Sequence, residues 1–549
     1  MATTRASRTT VLVGPESAGK STLAAALTGD RARADNVAGS TYAVERFVTG
    51  DHTYLDTPGL VHRLDSTSTR AALAALEDTW PHVLLVLRAT HLDDELAELL
   101  PLVAGRTGLV AVTHWDRVDD TPGARRALAS VAAATGVPFV PVDARDPEAA
   151  RAAVLDASTR PGTFGPGPVL ARVGWRVEPP VTLLDHRYLG PPIGLALLLG
   201  PPVASVWAAV VAADAVEPHV ETLLGPAAAG AGALPWPLAD VVAGDYGLLT
   251  MGPLLLVWAL PVVLVLALLL GIGKASGLLD RLTTAVHPLV RPVGLTGRDL
   301  VRVVAGYGCN VPAVISTRSC SCSTRDATLG AIAFGSACSY QLAATLGVLA
   351  AAQRPGLVVP YLGVLLTAAL AHARLIARSR GMDAAALDLA LLRGRAFITR
   401  PRLRDVRREA TTTLAHVTLR ALPVFVAIVV TASLLAATGA MEAAARPLAP
   451  LLAPLRLPAD VALPVLLASV RKDGLLLLAE PGTVAALDDA QLLAALVLAG
   501  ALVPCLVTAA TIARERSRRI AARLMVRQAV GALALAGVIS WAGLLVVRA

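Results

Sequence analysis

Residues 14–21, Gly14-Pro15-Glu16-Ser17-Ala18-Gly19-Lys20-Ser21, have the spacing G-x-x-x-x-G-K-[ST] of a phosphate-cradling loop. Its chemistry is anion binding. Successive backbone N–H groups surround the phosphate, Lys20 neutralises its charge, and the Ser21 hydroxyl can ligate Mg²⁺. Leu55-Asp56-Thr57-Pro58-Gly59 supplies a second element, in which Asp56 would hold Mg²⁺ and the Gly59 N–H would sense the terminal phosphate. Thr41 ends the polar run Asn36–Thr41, where it can close over the metal only in the triphosphate state. Such an order–disorder change is how nucleotide switches report hydrolysis. In Thr113-His114-Trp115-Asp116, an Asp at that position accepts two hydrogen bonds from a guanine ring, which favours GTP over ATP. Thr113 stands where Asn is usual and weakens that element. Asp143-Ala144-Arg145 completes the set as a small-residue loop behind the base.

The expected nucleotide site is therefore Gly14 through Thr22, Asp56 through Gly59, Thr113, Asp116, Asp143 and Ala144. Lys20, Thr41 and Gly59 are the catalytic candidates, and Ser21, Thr41 and Asp56 the Mg²⁺ ligands. Several elements in order within one short stretch set this apart from a metabolic P-loop kinase. Leu60 follows Gly59 where many GTPases carry a water-positioning Gln, so intrinsic hydrolysis is expected to be slow. A turnover of several per second without an activator would contradict this.

These residues need a scaffold. Thr10–Val13 reads as a strand running into the loop, and Thr22–Leu27 as a helix whose N-terminus faces the phosphates. Val83–Leu87 and Leu109–Val112 are continuously apolar, as buried parallel strands are. The reading is an N-terminal α/β P-loop domain over residues 1–150, with a parallel-type sheet covered by helices on both faces. A short linker, 151–187, leads to an all-α polytopic membrane domain over 188–549.

Composition supports that division. The 549 residues are 55% hydrophobic, too apolar for a soluble chain, and the apolar runs recur only after about residue 188. Full spans are expected near 190–212, 250–273, 328–351, 357–378, 418–438, 490–513 and 528–547. Two further stretches, 299–316 and 460–480, are interrupted: the first by glycines and Pro312, the second by Arg471-Lys472-Asp473-Gly474. The net charge of +8 does not mark a nucleic-acid binder, because arginines concentrate in 281–302, 374–408 and 514–527, flanking apolar runs. Residues 213–250 hold five carboxylates and no Lys or Arg. This is positive-inside asymmetry. If both interrupted stretches are re-entrant, all three arginine-rich segments fall on the cytoplasmic side with the nucleotide domain. No cleavable signal peptide is expected. The five cysteines all lie in the membrane part, which argues against a disulfide framework.

Gly306-Tyr307-Gly308-Cys309-Asn310-Val311-Pro312-Ala313, with Thr317-Arg318, closely resembles the first gate motif of FeoB-type ferrous iron transporters. Asn36–Thr41 is similar to their switch I segment, and Gly294-Leu295-Thr296-Gly297 to the turn entering the gate. Cys338-Ser339 resembles the second cysteine site, Arg471-Lys472-Asp473 the charged dipeptide of the second gate, and Pro504-Cys505 with Glu515 the late helix. The resemblance implies GTP-dependent import of Fe²⁺ across the cytoplasmic (inner) membrane, with the GTPase in the cytoplasm and the gates at 299–340 and 460–480. It implies small cytosolic accessory proteins as partners, besides the bilayer; the sequence leaves the oligomeric state open, a homo-oligomer being one option. Thiolate and carbonyl donors suit a borderline cation, so Cys309, Asn310, Cys338 and, as a third thiol, Cys505 are the path candidates. Cys338 and Cys505 could equally be small packed hydrophobes. The chain departs from the family in its short spacer and in the extra pair Cys320 and Cys322. A Mn²⁺ transporter of the same build, or a membrane-tethered GTPase sensor that moves nothing, are the competing readings.

Overall fold

The computed structural model describes residues 8–57 except 16–17, 30–44 and 51, residues 82–379 except 119, 144–145, 167–170, 245–246, 321–323 and 336–337, and residues 397–548 except 402, 417–418, 420–421 and 471. The chain divides into two compact units. The first is Met1–Val181 with 318–323 and 389–397; the second is Thr182–Thr317 with 324–388 and 398–549.

In the first unit, side chains along each central strand alternate between two faces, as the strand period of two requires. Strands β1 (Arg8–Val13), β2 (Glu45–Thr49), β3 (His52–Asp56), β4 (His82–Arg88), β5 (Thr107–Thr113) and β6 (Phe139–Pro141) lie in the order β2-β3-β1-β4-β5-β6. β3, β1, β4, β5 and β6 run parallel, as expected, whereas β2 pairs antiparallel with β3 and β7 (Gly162–Thr163) antiparallel with β5. Val11, Val13, Val83, Leu85 and Leu87 face one layer, built on helices α2 (Leu92–Val103) and α3 (Pro122–Thr135). Leu12, Leu84 and Val86 face the other, built on α1 (Lys20–Thr28) and α4 (Pro147–Ala157). β4 is buried on both faces, which is why its sequence shows no polar alternation. Helix starts follow local chemistry: Thr121 caps α3 and Asp146 caps α4, each followed by proline at the first helical position.

In the second unit, α5 (Gly190–Ala231) continues well past the expected span at 190–212. α6 (Met251–Ala275) turns through 90° into α7 (Leu278–Val290), and α8 (Gly297–Ala305) follows after a Thr296–Asp299 capping box. The apolar segment near 328–351 is two helices, α10 (Arg325–Gly335) and α11 (Ser339–Ala351), not one continuous span. Likewise 490–513 is α16 (Asp489–Ala501) and α17 (Leu506–Glu515), meeting at 42° across a break that contains Pro504. Between them come α12 (Val358–Ser379), α13 (Leu403–His416), α14 (Leu422–Ala437) and α15 (Ala462–Val470), and α18 (Arg518–Arg548) ends the chain. Among the described residues three helices are long and apolar enough to cross a membrane, or five if each bent pair is one span. α16 is the core: all ten residues from Leu492 to Ala501 are buried. Its alanines and glycine allow the close helix approach that membrane packing depends on.

Candidate functional site

The phosphate loop leaves β1 and presses onto β4. A Cβ on Gly14 would lie 2.2 Å from the Val86 carbonyl oxygen, so only glycine permits this approach. The Lys20 ammonium, buried, donates to the carbonyls of Gly14 (3.1 Å) and Pro15 (2.8 Å). Ser21 and Thr22 follow it in the first turn of α1. Asp56, at the end of β3, accepts the Ser21 hydroxyl on one carboxylate oxygen. Its other oxygen is buried and meets no hydrogen-bond partner among the described residues. An inward-facing carboxylate beside a hydroxyl fits a hard divalent ion such as Mg²⁺, which takes oxygen ligands. Thr57 is locked by its hydroxyl to the Leu12 carbonyl at 2.6 Å, fixing where β3 hands over to the segment carrying Pro58 and Gly59.

Burial pushes the Asp56 carboxyl up from its ordinary value, against the Lys20 charge and the Ser21 hydroxyl, which pull it down. A carboxyl raised in the folded state contributes stability at low pH and loses it as pH rises through the raised value. Ionised Asp56 therefore costs stability at neutral pH. Asp56→Asn is expected to raise the melting temperature of the nucleotide-free protein by a few degrees while removing Mg²⁺-dependent GTP binding. Thermal shift with and without GTP and Mg²⁺ checks both, and a lowered melting temperature would contradict it.

Thr113 does something the sequence did not reveal. Its buried hydroxyl lies 2.7 Å from the Ala18 carbonyl and 3.1 Å from the Leu87 carbonyl, so the end of β5 is tied to the phosphate loop and to β4. The residue read as a weakened base-recognition position also ties the phosphate loop to β4. His114 then takes a left-handed conformation (φ 56), and Trp115–Arg117 form a single turn that carries an exposed Asp116. Asp143 follows β6 by two residues, just after Val142, whose N–H bonds the Val112 carbonyl. The structure thus brings together Gly14, Pro15, Ala18, Gly19, Lys20, Ser21, Asp56, Thr57 and Thr113. Glu16, Ser17, Thr41, Pro58, Gly59, Leu60 and Ala144 lie outside the described residues.

In the second unit, three thiols share one feature. Cys309, Cys338 and Cys505 are the residues immediately before α9 (Asn310–Ser316), α11 and α17, each with extended ψ (131°, 158° and 149°). All three mark a helix that restarts after a break in an apolar segment. Cys309 lies within electrostatic reach of both Cys338 and Cys505. At 306–313, the glycine-containing turn makes the break. Pro312 does not: it falls in the first turn of α9, where its missing N–H costs nothing. Asn310 is the buried first residue of α9. Cys320 is buried and Cys322 lies outside the described residues. Among the described residues no three His, Cys, Asp or Glu side chains are gathered closely enough to chelate a metal.

Broken helices expose carbonyls that need donors, and buried polar side chains provide them. The Lys472 ammonium, buried, bonds Gly500 O (2.7 Å) and Val503 O (2.8 Å) at the end of α16, within electrostatic reach of Cys338 and Cys505. The Gln528 amide bonds Ala333 O (3.0 Å) and Ala501 O (2.8 Å), serving the ends of α10 and α16 together. Gln341, Thr345 and Tyr361 form a third buried set. Gln528, Gln341 and Tyr361 were missed at the level of sequence, although a polar side chain inside an apolar run was the available signal. Glu515 lies 3.6 Å from buried Arg325, and Arg516 pairs with Asp326, tying α17 to α10.

Residues 9–113 match the family model described as 50S ribosome-binding GTPase, and residues 256–352 and 418–519 match the one described as nucleoside recognition, a gate domain. A curated Fe(2+) transporter FeoB of Staphylococcus aureus is 25% identical over 170 residues, covering 29% of this chain and 24% of that protein. The FeoB of Synechocystis is 40% identical over 58 residues, 11% of this chain and 9% of the relative. The chain thus spans about a quarter or less of the length of these relatives. Among solved structures, the S. thermophilus NFeoB bound to GDP, aluminium fluoride and K⁺ is similar at 16% identity and TM-score 0.25, over 42% of this chain and 86% of that one. The family models and the curated relatives support the FeoB-type resemblance carried by residues 306–313.

Proposed function

We propose that the chain is an FeoB-type transporter that admits Fe²⁺ across the cytoplasmic membrane along a cysteine-lined path, under the control of GTP bound at residues 14–21. The observation that carries this reading is the placement of Cys309, Cys338 and Cys505, each at the restart of a broken apolar helix. Helix restarts present unpaired backbone groups, and a thiol beside them supplies a donor suited to a borderline cation. Thiols spaced along separate helix restarts would each hold the ion briefly, as conduction requires.

On the nucleotide side, Lys20 would hold the phosphates. Asp56, Ser21 and, in the triphosphate state, Thr41 would hold Mg²⁺, which neutralises charge on the phosphate oxygens. Gly59 would sense the terminal phosphate and Asp116 the guanine. The N-terminal unit would face the cytoplasm, where GTP and small accessory proteins are available.

The reading is tested by ⁵⁵Fe²⁺ uptake into proteoliposomes with GTP. Cys309→Ser is expected to lower the initial rate about tenfold, the scale of a perturbed metal site, while GTP binding is unchanged. Uptake equal to wild type would remove the path. Competition by Mn²⁺ ranks the metals, and a sensor that transports nothing would show no uptake in any variant.

A further inference from the structure

Residues 171–178 have no regular secondary structure, yet they are pinned along the back of the first unit. The Asp93 carboxylate, at the start of α2, accepts two consecutive backbone N–H groups, Val173 (2.9 Å) and Gly174 (3.1 Å). The Trp175 indole N–H donates to the Ala89 carbonyl at 3.0 Å, and the Val177 N–H bonds the Thr90 carbonyl at 3.2 Å. Val173 is buried, and Trp175 meets Trp115 edge to face, centroids 6.3 Å apart at 72°. Trp115 lies between His114, held at a positive φ, and Asp116. An extended arm therefore packs on the loop that carries the guanine-recognition carboxylate.

The arm also leads the chain from the first unit into the second, which begins at Thr182. After Glu178 come Pro179-Pro180-Val181, which favour an extended and stiff backbone. Next is Thr182–Asp185, whose carboxylate pairs with fully buried Arg281 of α7. The connector is held at both ends.

We propose that residues 171–178 are a latch on the base-recognition loop and that Trp175 is a positioning residue for the guanine nucleotide. Its ring supports Trp115, and Trp115 sets the turn bearing Asp116. A left-handed His114 is a conformation that persists only when its surroundings hold it. The aromatic pair and the backbone bonds of the arm provide that hold. Because linkage between two binding equilibria is reciprocal, nucleotide that favours the ordered loop must favour the docked arm by the same factor. This proposal rests on the reading of residues 14–21, 56 and 113–116 as a guanine-nucleotide site.

The test uses the full chain in detergent or nanodiscs and a fluorescent GDP analogue, mant-GDP, in stopped flow. Trp175→Ala is expected to speed mant-GDP release roughly three- to tenfold, the scale of one edge-to-face aromatic pair. Trp175→Phe should recover most of it, since the ring contact survives without the indole N–H. Asp93→Ala, which leaves both tryptophans in place but frees the arm, should also speed release. In the wild type, saturating GDP should slow hydrogen exchange at the amides of Val173, Gly174 and Val177. Release rates unchanged in both Trp175→Ala and Asp93→Ala would overturn the latch, as would equal exchange with and without GDP. A wild-type chain that binds no mant-GDP would instead sink the guanine-nucleotide reading.

Discussion

Lys20→Ala is expected to weaken GTP binding by about two orders of magnitude, with the fold retained. The Lys20 ammonium is buried and held at 3.1 and 2.8 Å by the Gly14 and Pro15 carbonyls, so it is already in place inside the loop. Bonds from an ionised donor to phosphate contribute about 1.5–3 kcal/mol each. Losing one strong bond or two weaker ones amounts to a factor of roughly a hundred. The cost to folding is smaller, because alanine suits the start of α1. Titration with a fluorescent GTP analogue measures the first effect and circular dichroism the second. Affinity within a factor of three of wild type would show that the loop is a structural turn.

Asp185→Ala is expected to destabilise the second unit by about 3–5 kcal/mol, the cost of removing one partner of a buried ion pair. Side-chain exposure is 1% for Arg281 and 9% for Asp185, so neither charge is relieved by water. Burial pushes the Asp185 carboxyl up, but the Thr182 N–H and hydroxyl and the Arg281 guanidinium outweigh it and leave it below its ordinary value. A lowered carboxyl contributes stability that is fully present above its unfolded value and is lost as pH falls through the folded one. The wild type should thus lose this contribution on acidification, and Asp185→Ala should lack that part of the pH dependence. Replacing both residues by apolar ones of similar size, Asp185→Leu with Arg281→Met, should recover much of the loss. If the double variant is as unstable as the single one, the pair is not what holds the connector to α7.

Much of the first unit was legible because its elements obey short-range rules. A Gly-rich loop after a strand and continuous apolar runs each have one dominant structural meaning, and β1, β4 and β5 lie where those runs fall. The role of Thr113 was not legible. Its hydroxyl bridges Ala18 and Leu87, and that contact depends on where three separate strands end. The breaks in the membrane unit were half legible. Glycines at 306–308 announced the first, but apolar composition alone made 328–351 and 490–513 read as single spans. Composition reports solvent preference and says little about where a helix stops. The breaks are accommodated by tertiary donors such as Lys472 and Gln528, which bond the carbonyls released at Gly500, Val503, Ala333 and Ala501. The docked arm was invisible for the same reason: Asp93 and Val173 are eighty residues apart.

The central claim is that the nucleotide at residues 14–21 controls metal passage by the thiols at 309, 338 and 505. The most direct measurement is the initial rate of ⁵⁵Fe²⁺ uptake by proteoliposomes loaded with the wild-type chain, with and without GTP, beside Lys20→Ala and Cys309→Ser. The expected result is GTP-stimulated uptake in the wild type, loss of the stimulation alone in Lys20→Ala, and an about tenfold lower rate in Cys309→Ser with and without GTP. Uptake that is equal in all three and indifferent to GTP would contradict the account.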